Sequence, residues 1–339
     1  MSQRWTRGLI HRREPQLKIA ILDDYADGFR QLACYKRLAA HEVVVFHDTE
    51  TDPVKLAERI GDAEAVLLTQ QRSLFPRALV ERVPNLELVS LTGRNASHVD
   101  VEACTEHGIA IAARGGGDPH GPAELAWGLI LCSLRNLTEE VERLKSGRWQ
   151  GSVGRGVSDK TLGIYAYGRI GSIVAGVGRA FGMRVVCWGR EGSTARARAA
   201  GFEVARDRES FFADADVVSL HLPMNASTRG IITAQDLALM KPTALLVNVS
   251  RARLIEEGAL AAALAAGRPG FAAVDVYERE PVLDADHPLV RMPNALCTPH
   301  LGYVEWGTLE TYYAAAVENI LAYAAGEPKS IINPDALRK

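Results

Sequence analysis

No apolar run in this 339-residue chain approaches the length needed to cross a bilayer. Neither sign of charge is in excess. With 39 Lys and Arg against 41 Asp and Glu the formal charge is −2, which gives no reason to expect nucleic acid or an anionic membrane as partner. There is no disulfide framework either. Cys34, Cys104, Cys132, Cys187 and Cys297 are odd in number and scattered, without paired spacing. Cys187 and Cys297 lie in strand-like apolar runs and are expected as buried, reduced thiols. Internal repeats and low-complexity segments are absent. What remains is an ordinary soluble composition, long enough for two domains, and a cytoplasmic location fits it. The first sixteen residues stand apart: Arg4, Arg7, Arg12 and Arg13 make a basic extension with weak transit-peptide character and no clear cleavage signal.

Strand-like runs alternate with helical patterns throughout, as in parallel α/β proteins. In the first third the strands are read at 18–22, 42–46, 65–69, 86–92 and 109–113, with helices at 53–60 and 76–83. Gly115-Gly116-Gly117-Asp118-Pro119 breaks the pattern and is a hinge candidate. One long helix is expected over 122–145. A second, larger strand series follows at 162–166, 184–188, 202–204, 217–221, 244–249, 271–276 and 295–298. The final helix, about 304–325, is long enough to return to the first domain.

The stretch TLGIYAYGRIGSIVAGVGRAFGM, residues 161–183, reads as strand, tight turn and helix. Ile170, Ile173, Val174, Val177 and Phe181 share a helical face, and Gly182 is placed to end it. Free N–H groups at such a helix start suit a pyrophosphate. Gly168 would admit close approach of the phosphates, and Gly171 would let the helix lie close on the strand. Ala166 stands where the first glycine of G-x-G-x-x-G is usual, so the motif alone is imperfect.

Arg251, Glu280 and His300 fall at the carboxyl ends of late strands, where open parallel sheets bind ligands. An Arg offers a planar fork to a carboxylate, a His delivers a proton at neutral pH, and a carboxylate beside the His orients it. Reduction of a 2-keto acid needs those three tasks. Singly, each residue reads as well as a salt bridge, a solvated turn or a structural histidine.

The ordered motifs TLGIYAYGRIG, ADVVSLHLP, MKPTALLVNVSR, AAVDVYEREP and LCTPHLG resemble the D-isomer-specific 2-hydroxyacid dehydrogenases, from about Lys18 to Asn333. The resemblance implies two doubly wound parallel-sheet domains. A Rossmann NAD(P)-binding domain (117–303) is inserted into a flavodoxin-like catalytic domain made from 17–116 and 304–339. His300 then matches the general acid/base, Glu280 its partner, and Arg251 the group that binds the substrate carboxylate. A cofactor set follows: Tyr167, Gly168, Arg169 and Ile170 at the phosphate turn; Gly189 and Arg190 after the second strand; His221, Pro223 and Thr228 in the next loop. Val249, Ser250, Asp275 and His300 complete it around the nicotinamide. A solvated strand-end Asp275 and a purely structural His221 remain open.

The departures from the family pattern concern the substrate. LTGRNASHVD replaces the usual glycine–aspartate–asparagine loop and brings Gly93, Arg94 and Asn95 toward the substrate, with Arg94 as a second cationic contact. Arg72 in TQQRSLFP is a further candidate, with a solvated arginine as the alternative. Ala252 follows Arg251 where glycine is common, and Tyr303 and Trp306 are bulky. Glyoxylate or hydroxypyruvate reduction ranks first. Formate oxidation is disfavoured because that family has glutamine at the position of Glu280. Phosphoglycerate oxidation ranks lower, no regulatory domain following the catalytic unit. A dinucleotide-sensing corepressor without turnover is the alternative from another class.

The strand at 184–188 ends on Gly189 and Arg190 with no acidic residue for the ribose hydroxyls. NADP(H) is therefore favoured over NAD(H), with Ser193 and Thr194 as further donors and Glu191 as a rival ribose contact. No metal is called for. The 122–145 helix is more apolar than one sheet face needs and the family commonly pairs the matching helix across a two-fold axis. A homodimer is expected, burial of that helix within its own chain being the alternative.

Overall fold

The computed structural model describes residues 16–338, so the four basic-segment arginines lie outside the described residues. The chain divides into two compact units: one runs up to Gly117 and resumes at Trp306, and the other is Asp118–Glu305.

The first unit holds a five-stranded parallel sheet. In chain order its elements are β1 (Lys18–Leu22), β2 (Glu42–Val45), α1 (Pro53–Ile60), β3 (Ala65–Leu68), α2 (Arg77–Val80), β4 (Leu88–Leu91), α3 (Val101–Glu106) and β5 (Ala110–Ala113). The strand order is β2-β1-β3-β4-β5. AVLL and LVSL are buried along their whole length, as strands covered on both faces must be. One face packs Val66, Val89 and Ile111 against Leu56 of α1, Leu79 of α2 and Cys104 of α3. The other face is closed from far along the chain, by Tyr313, Val317 and Ile320 of the last helix.

The second unit opens with α4 (His120–Leu134) and α5 (Leu137–Lys145). Then come β6 (Thr161–Tyr165), α6 (Arg169–Ala180), β7 (Arg184–Trp188), α7 (Glu191–Ala199), β8 (Glu203–Val204), α8 (Arg208–Asp214) and β9 (Val217–Leu220). It continues through α9 (Ala234–Leu239), β10 (Leu245–Asn248), α10 (Ala259–Ala265), β11 (Phe271–Val274) and β12 (Ala295–Cys297). All seven strands are parallel, in the order β12-β11-β10-β9-β6-β7-β8. The first unit is completed by α11 (Trp306–Ala324). Among the described residues no helix is long and apolar enough to cross a membrane.

Two expectations need correction. The helix read over 122–145 is two helices, broken at Arg135 and Asn136, with Asn136 in the left-handed region at φ 52°. Asparagine tolerates that conformation at little cost, so the break is inexpensive and the periodicity conceals it. Its first half is buried through Ala126, Trp127, Leu129, Ile130 and Leu134, whereas α5 buries no residue at all. Cys187 is buried as expected, but Cys297 is only half-buried; none of the five cysteines is in a disulfide.

The close approach of α6 to β6 depends on Gly171. A Cβ there would lie 2.5 Å from the carbonyl oxygen of Ala166 and 3.2 Å from Ile164 Cγ2. Because the nearest atom is backbone, the turn itself would have to move. Gly171→Ala is expected to lose about 1–3 kcal/mol of stability, measured by urea unfolding; an unchanged midpoint would show that the turn accommodates a methyl group.

Candidate active site

The central sheet brings Arg251, Glu280 and His300 to the carboxyl ends of three adjacent strands, β10, β11 and β12. His300 Nδ1 meets Glu280 Oε2 at 2.7 Å, and the other carboxylate oxygen accepts the Tyr277 N–H at 2.9 Å. A carboxylate can only accept, so Nδ1 carries the proton that joins them and Nε2 is the ring nitrogen left to face a substrate. His300 itself sits at φ 54°. A non-glycine residue stays in that region only where its surroundings over-determine it.

Those surroundings centre on Asp275. The carboxylate is fully buried and accepts from Thr298 Oγ1 at 2.6 Å, Leu301 N at 2.7 Å and Gly302 N at 2.9 Å. A solvated strand-end aspartate is thereby excluded. Burial pushes its carboxyl pKa upward, against the pull of these three donors and of His300. Tyr277 closes the same loop from above, its hydroxyl donating to Thr298 O at 2.9 Å. Tyr277 and Thr298 were not singled out by sequence, although both lie inside the motifs that were.

Arg251 is exposed, and its Nη1 donates to Ser250 O at 2.7 Å. The turn that presents it is tied by Asn248. This nearly fully buried side chain donates from Nδ2 to Arg251 O at 3.0 Å and accepts the Ser250 N–H at 3.0 Å. Asn248 also escaped the sequence reading; a lone amide ending the apolar run LLVN was the available signal. Ser250 Oγ is spent on Leu220 O at 2.7 Å, and Val249 is buried.

The phosphate turn after β6 fits an anion by three observations. No protein atom would touch a Cβ on Gly168, so the backbone there is open to approach. Helix α6 starts without any side-chain cap, leaving first-turn N–H groups such as that of Ile170 for an external acceptor. His221, at the end of β9, is buried with neither ring nitrogen hydrogen-bonded, and burial lowers its pKa to about 3, so it is neutral. Ala166 takes φ 74° where glycine would be free to, at a cost of roughly 1–2 kcal/mol. Tyr167 contributes differently from what was expected. Its N–H is taken by Ser193 Oγ at 2.7 Å and its ring packs on Phe202.

After β7, Gly189 has φ 153° and leads into exposed Arg190, whose Nη2 donates to Ser227 Oγ at 2.5 Å. Thr194 is not available as a ligand donor: it is buried and bonds Glu191 O at 3.0 Å. Glu191 is exposed in the first turn of α7. Thr228 is buried too, its hydroxyl donating to Pro223 O at 2.8 Å, so it shapes the loop after β9 while Pro223 stays exposed.

In the first unit, Arg72 is 8% exposed, which rules out the solvated alternative. It lies near the buried Asp23, which accepts from Thr49 Oγ1 at 2.5 Å and Ser73 Oγ at 2.8 Å. Gly93 is half-buried, and Arg94 and Asn95 are exposed, Asn95 accepting the Ser97 N–H at 2.9 Å. Just beyond β1 and β2, Asp24, Asp27 and His47 place ligand atoms within 4.8 Å of one another, but the Asp24 carboxylate is spent on the N–H groups of Gly28 and Phe29.

Residues 127–302 match the family model described as D-isomer specific 2-hydroxyacid dehydrogenase, NAD binding domain. A glyoxylate reductase of Aeropyrum pernix is 34% identical over 290 residues, spanning 83% of this chain and 85% of that one. Two solved structures are similar throughout. A putative D-3-phosphoglycerate dehydrogenase oxidoreductase from Ralstonia solanacearum is 48% identical with TM-score 0.91, over 95% of this chain and 98% of that one. A phosphoglycerate oxidoreductase from Vibrio cholerae is 45% identical with TM-score 0.88, over 92% and 100%.

Proposed function

The chain belongs to the D-isomer-specific 2-hydroxyacid dehydrogenase family, and from that premise we propose that it reduces a small 2-keto acid to the 2-hydroxy acid in the cytoplasm. It is an oxidoreductase of CH–OH groups that uses a nicotinamide dinucleotide. In this reading residues 117–303 hold the dinucleotide, and 17–116 with 304–339 supply the remaining substrate contacts. The observation that carries it is the 2.7 Å contact between His300 and Glu280 on the strands next to that of Arg251.

When bound, the reduced nicotinamide supplies the hydride. Arg251 holds the substrate carboxylate through its planar fork. His300 gives the Nε2 proton to the carbonyl oxygen in reduction and takes it back in oxidation. Glu280 fixes the tautomer and faces the positive charge the ring carries before it donates. Asp275 holds the His300 loop in register, and Asn248 does the same for the Arg251 turn.

We assign NADP(H) as the preferred cofactor. No acidic residue ends β7 to bind the ribose hydroxyls or repel a 2′-phosphate, and exposed Arg190, steadied by Ser227 Oγ, offers a guanidinium at that place. We also propose a homodimer, formed by α5 and the segment after it and not by α4. Leu137, Val141 and Leu144 share one face of α5 and are exposed, as are Trp149 and Val153.

The function is tested by oxidation of NADPH and NADH with a panel of 2-keto acids, in wild type and His300→Ala. His300→Ala should lower kcat about 10²–10⁴-fold while leaving cofactor affinity nearly intact. Cofactor binding without turnover on any keto acid would favour the dinucleotide sensor. Arg190→Ala should cut kcat/KM for NADPH and spare NADH; a strong wild-type preference for NADH, unmoved by the substitution, would defeat the NADP(H) assignment. Light scattering at micromolar concentration should return twice the 36.8 kDa chain mass, and a monomer mass would refute the dimer.

A further inference from the structure

We propose that α7 braces the dinucleotide turn through Tyr167, and that Ser193 and Arg196 of that helix are positioning residues for either dinucleotide, standing in for the glycine that residue 166 lacks. The inference rests on the dinucleotide-binding reading of this unit and concerns how its turn is kept in the binding shape.

The turn after β6 begins on an unfavourable residue. Ala166 sits at φ 74°, a region that glycine enters freely and that a Cβ disfavours. Its N–H donates to Trp188 O at 2.8 Å, which carries the β6–β7 ladder one residue further. Two residues on, the Gly168 N–H donates to Ala166 O at 2.9 Å, so Tyr167 is the centre of a three-residue turn. Without other restraint an alanine would favour negative φ, and the N–H groups that open α6 would lose their common direction.

That restraint comes from α7. The Tyr167 N–H donates to Ser193 Oγ at 2.7 Å, and Tyr167 O accepts from Arg196 Nη2 at 3.1 Å. Ser193 and Arg196 are three residues apart and share a face of the helix. Peptide groups are planar, so each bond fixes a whole plane. Trp188 O fixes the plane before Ala166 and Ser193 Oγ the plane after it, which together set both dihedrals of the alanine. Arg196 fixes the plane after Tyr167. The Tyr167 ring is held as well, packing on Phe202 with centroids 5.5 Å apart, while Phe202 carries the Arg179 guanidinium of α6 at 4.3 Å.

Ser193 reaches the turn through a gap that Gly189 leaves. A Cβ at 189 would lie 3.1 Å from Ser193 Oγ and 3.5 Å from Ala166 Cα. The serine is itself set by its N–H, which donates to Arg190 O at 2.8 Å. The turn serves the pyrophosphate that NADH and NADPH share, so loss of the brace weakens both alike, unlike loss of Arg190. Without it the turn divides between the binding shape and others, and the apparent Kd rises as the competent fraction falls.

The test uses the full chain without substrate. In calorimetric titration Ser193→Ala should raise Kd about tenfold for NADPH and for NADH alike, the size of one lost hydrogen bond. Ser193→Thr keeps the acceptor oxygen and should stay within about threefold of wild type. Ala166→Gly should make the brace dispensable. In that background Ser193→Ala should cost less than about threefold, a non-additivity that neither a ligand contact nor a general loss of stability would produce. Arg196→Gln should weaken both dinucleotides about threefold, with the same cancellation by Ala166→Gly, whereas a charge effect on the phosphates would persist. Urea midpoints without ligand read the brace independently of binding. Ala166→Gly should raise the midpoint of Ser193→Ala by more than it raises that of wild type. If wild type bound neither dinucleotide, that result would still uphold the brace while the cofactor reading falls. A loss confined to NADPH would make Ser193 a ligand of the 2′-phosphate and overturn the proposal. So would an unmoved Kd in Ser193→Ala, or a loss that persists in full with glycine at 166.

Discussion

A single buried carboxylate organises the chemical edge of this protein. Asp275 has no solvent to stabilise its charge and obtains that stabilisation from one hydroxyl and two backbone N–H groups of the 298–302 loop. The bonds run both ways in effect. They make the burial of a charged group tolerable, and they fold the loop so tightly that His300 is forced into the left-handed region, with its ring turned toward Glu280. Loss of any one donor would leave a charge under-satisfied in the core and slacken the backbone under the histidine together.

The phosphate turn shows the opposite economy. Its tight geometry is kept although Ala166 stands where glycine would adopt φ 74° freely. The strain is overcome by neighbours on both sides: Ala166 N bonds Trp188 O at 2.8 Å, Gly168 N bonds Ala166 O at 2.9 Å, and Gly171 leaves room for the helix. A motif judged by its glycines alone looks incomplete, yet the backbone adopts the turn because tertiary contacts outweigh one alanine's preference.

This contrast explains what was legible in the sequence. The strands could be read because both sheets are covered on two faces, so each is a short run of unbroken apolar residues; the ladders stop one or two residues before the runs do. The Arg251, Glu280 and His300 motifs stood out because chemistry places unusual residue types at strand ends. Asn248 and Tyr277 did not, since what they do is satisfy backbone groups brought near by folding, and no local pattern records that. The hydroxyls of Thr194 and Thr228 make the same point, since each closes its own loop by bonding a nearby carbonyl, Glu191 O and Pro223 O. Asn136 breaks a helix whose apolar periodicity runs on across the break, because tolerance of a left-handed residue leaves no trace in hydropathy.

The discontinuity of the first unit has a consequence for how the protein is made. One face of its sheet is finished only by Tyr313, Ala316, Val317 and Ile320 of α11, residues that leave the ribosome after the whole of the Asp118–Glu305 unit. At synthesis rates of roughly 5–20 residues per second, the half-covered sheet waits on the order of 10–40 s for its lid. During that interval Ile19, Ile21, Leu67 and Leu88 have an uncovered side, while the contiguous unit has all the residues it needs to fold first. Nascent-chain quality control would therefore meet this protein as a finished middle carrying an unfinished beginning.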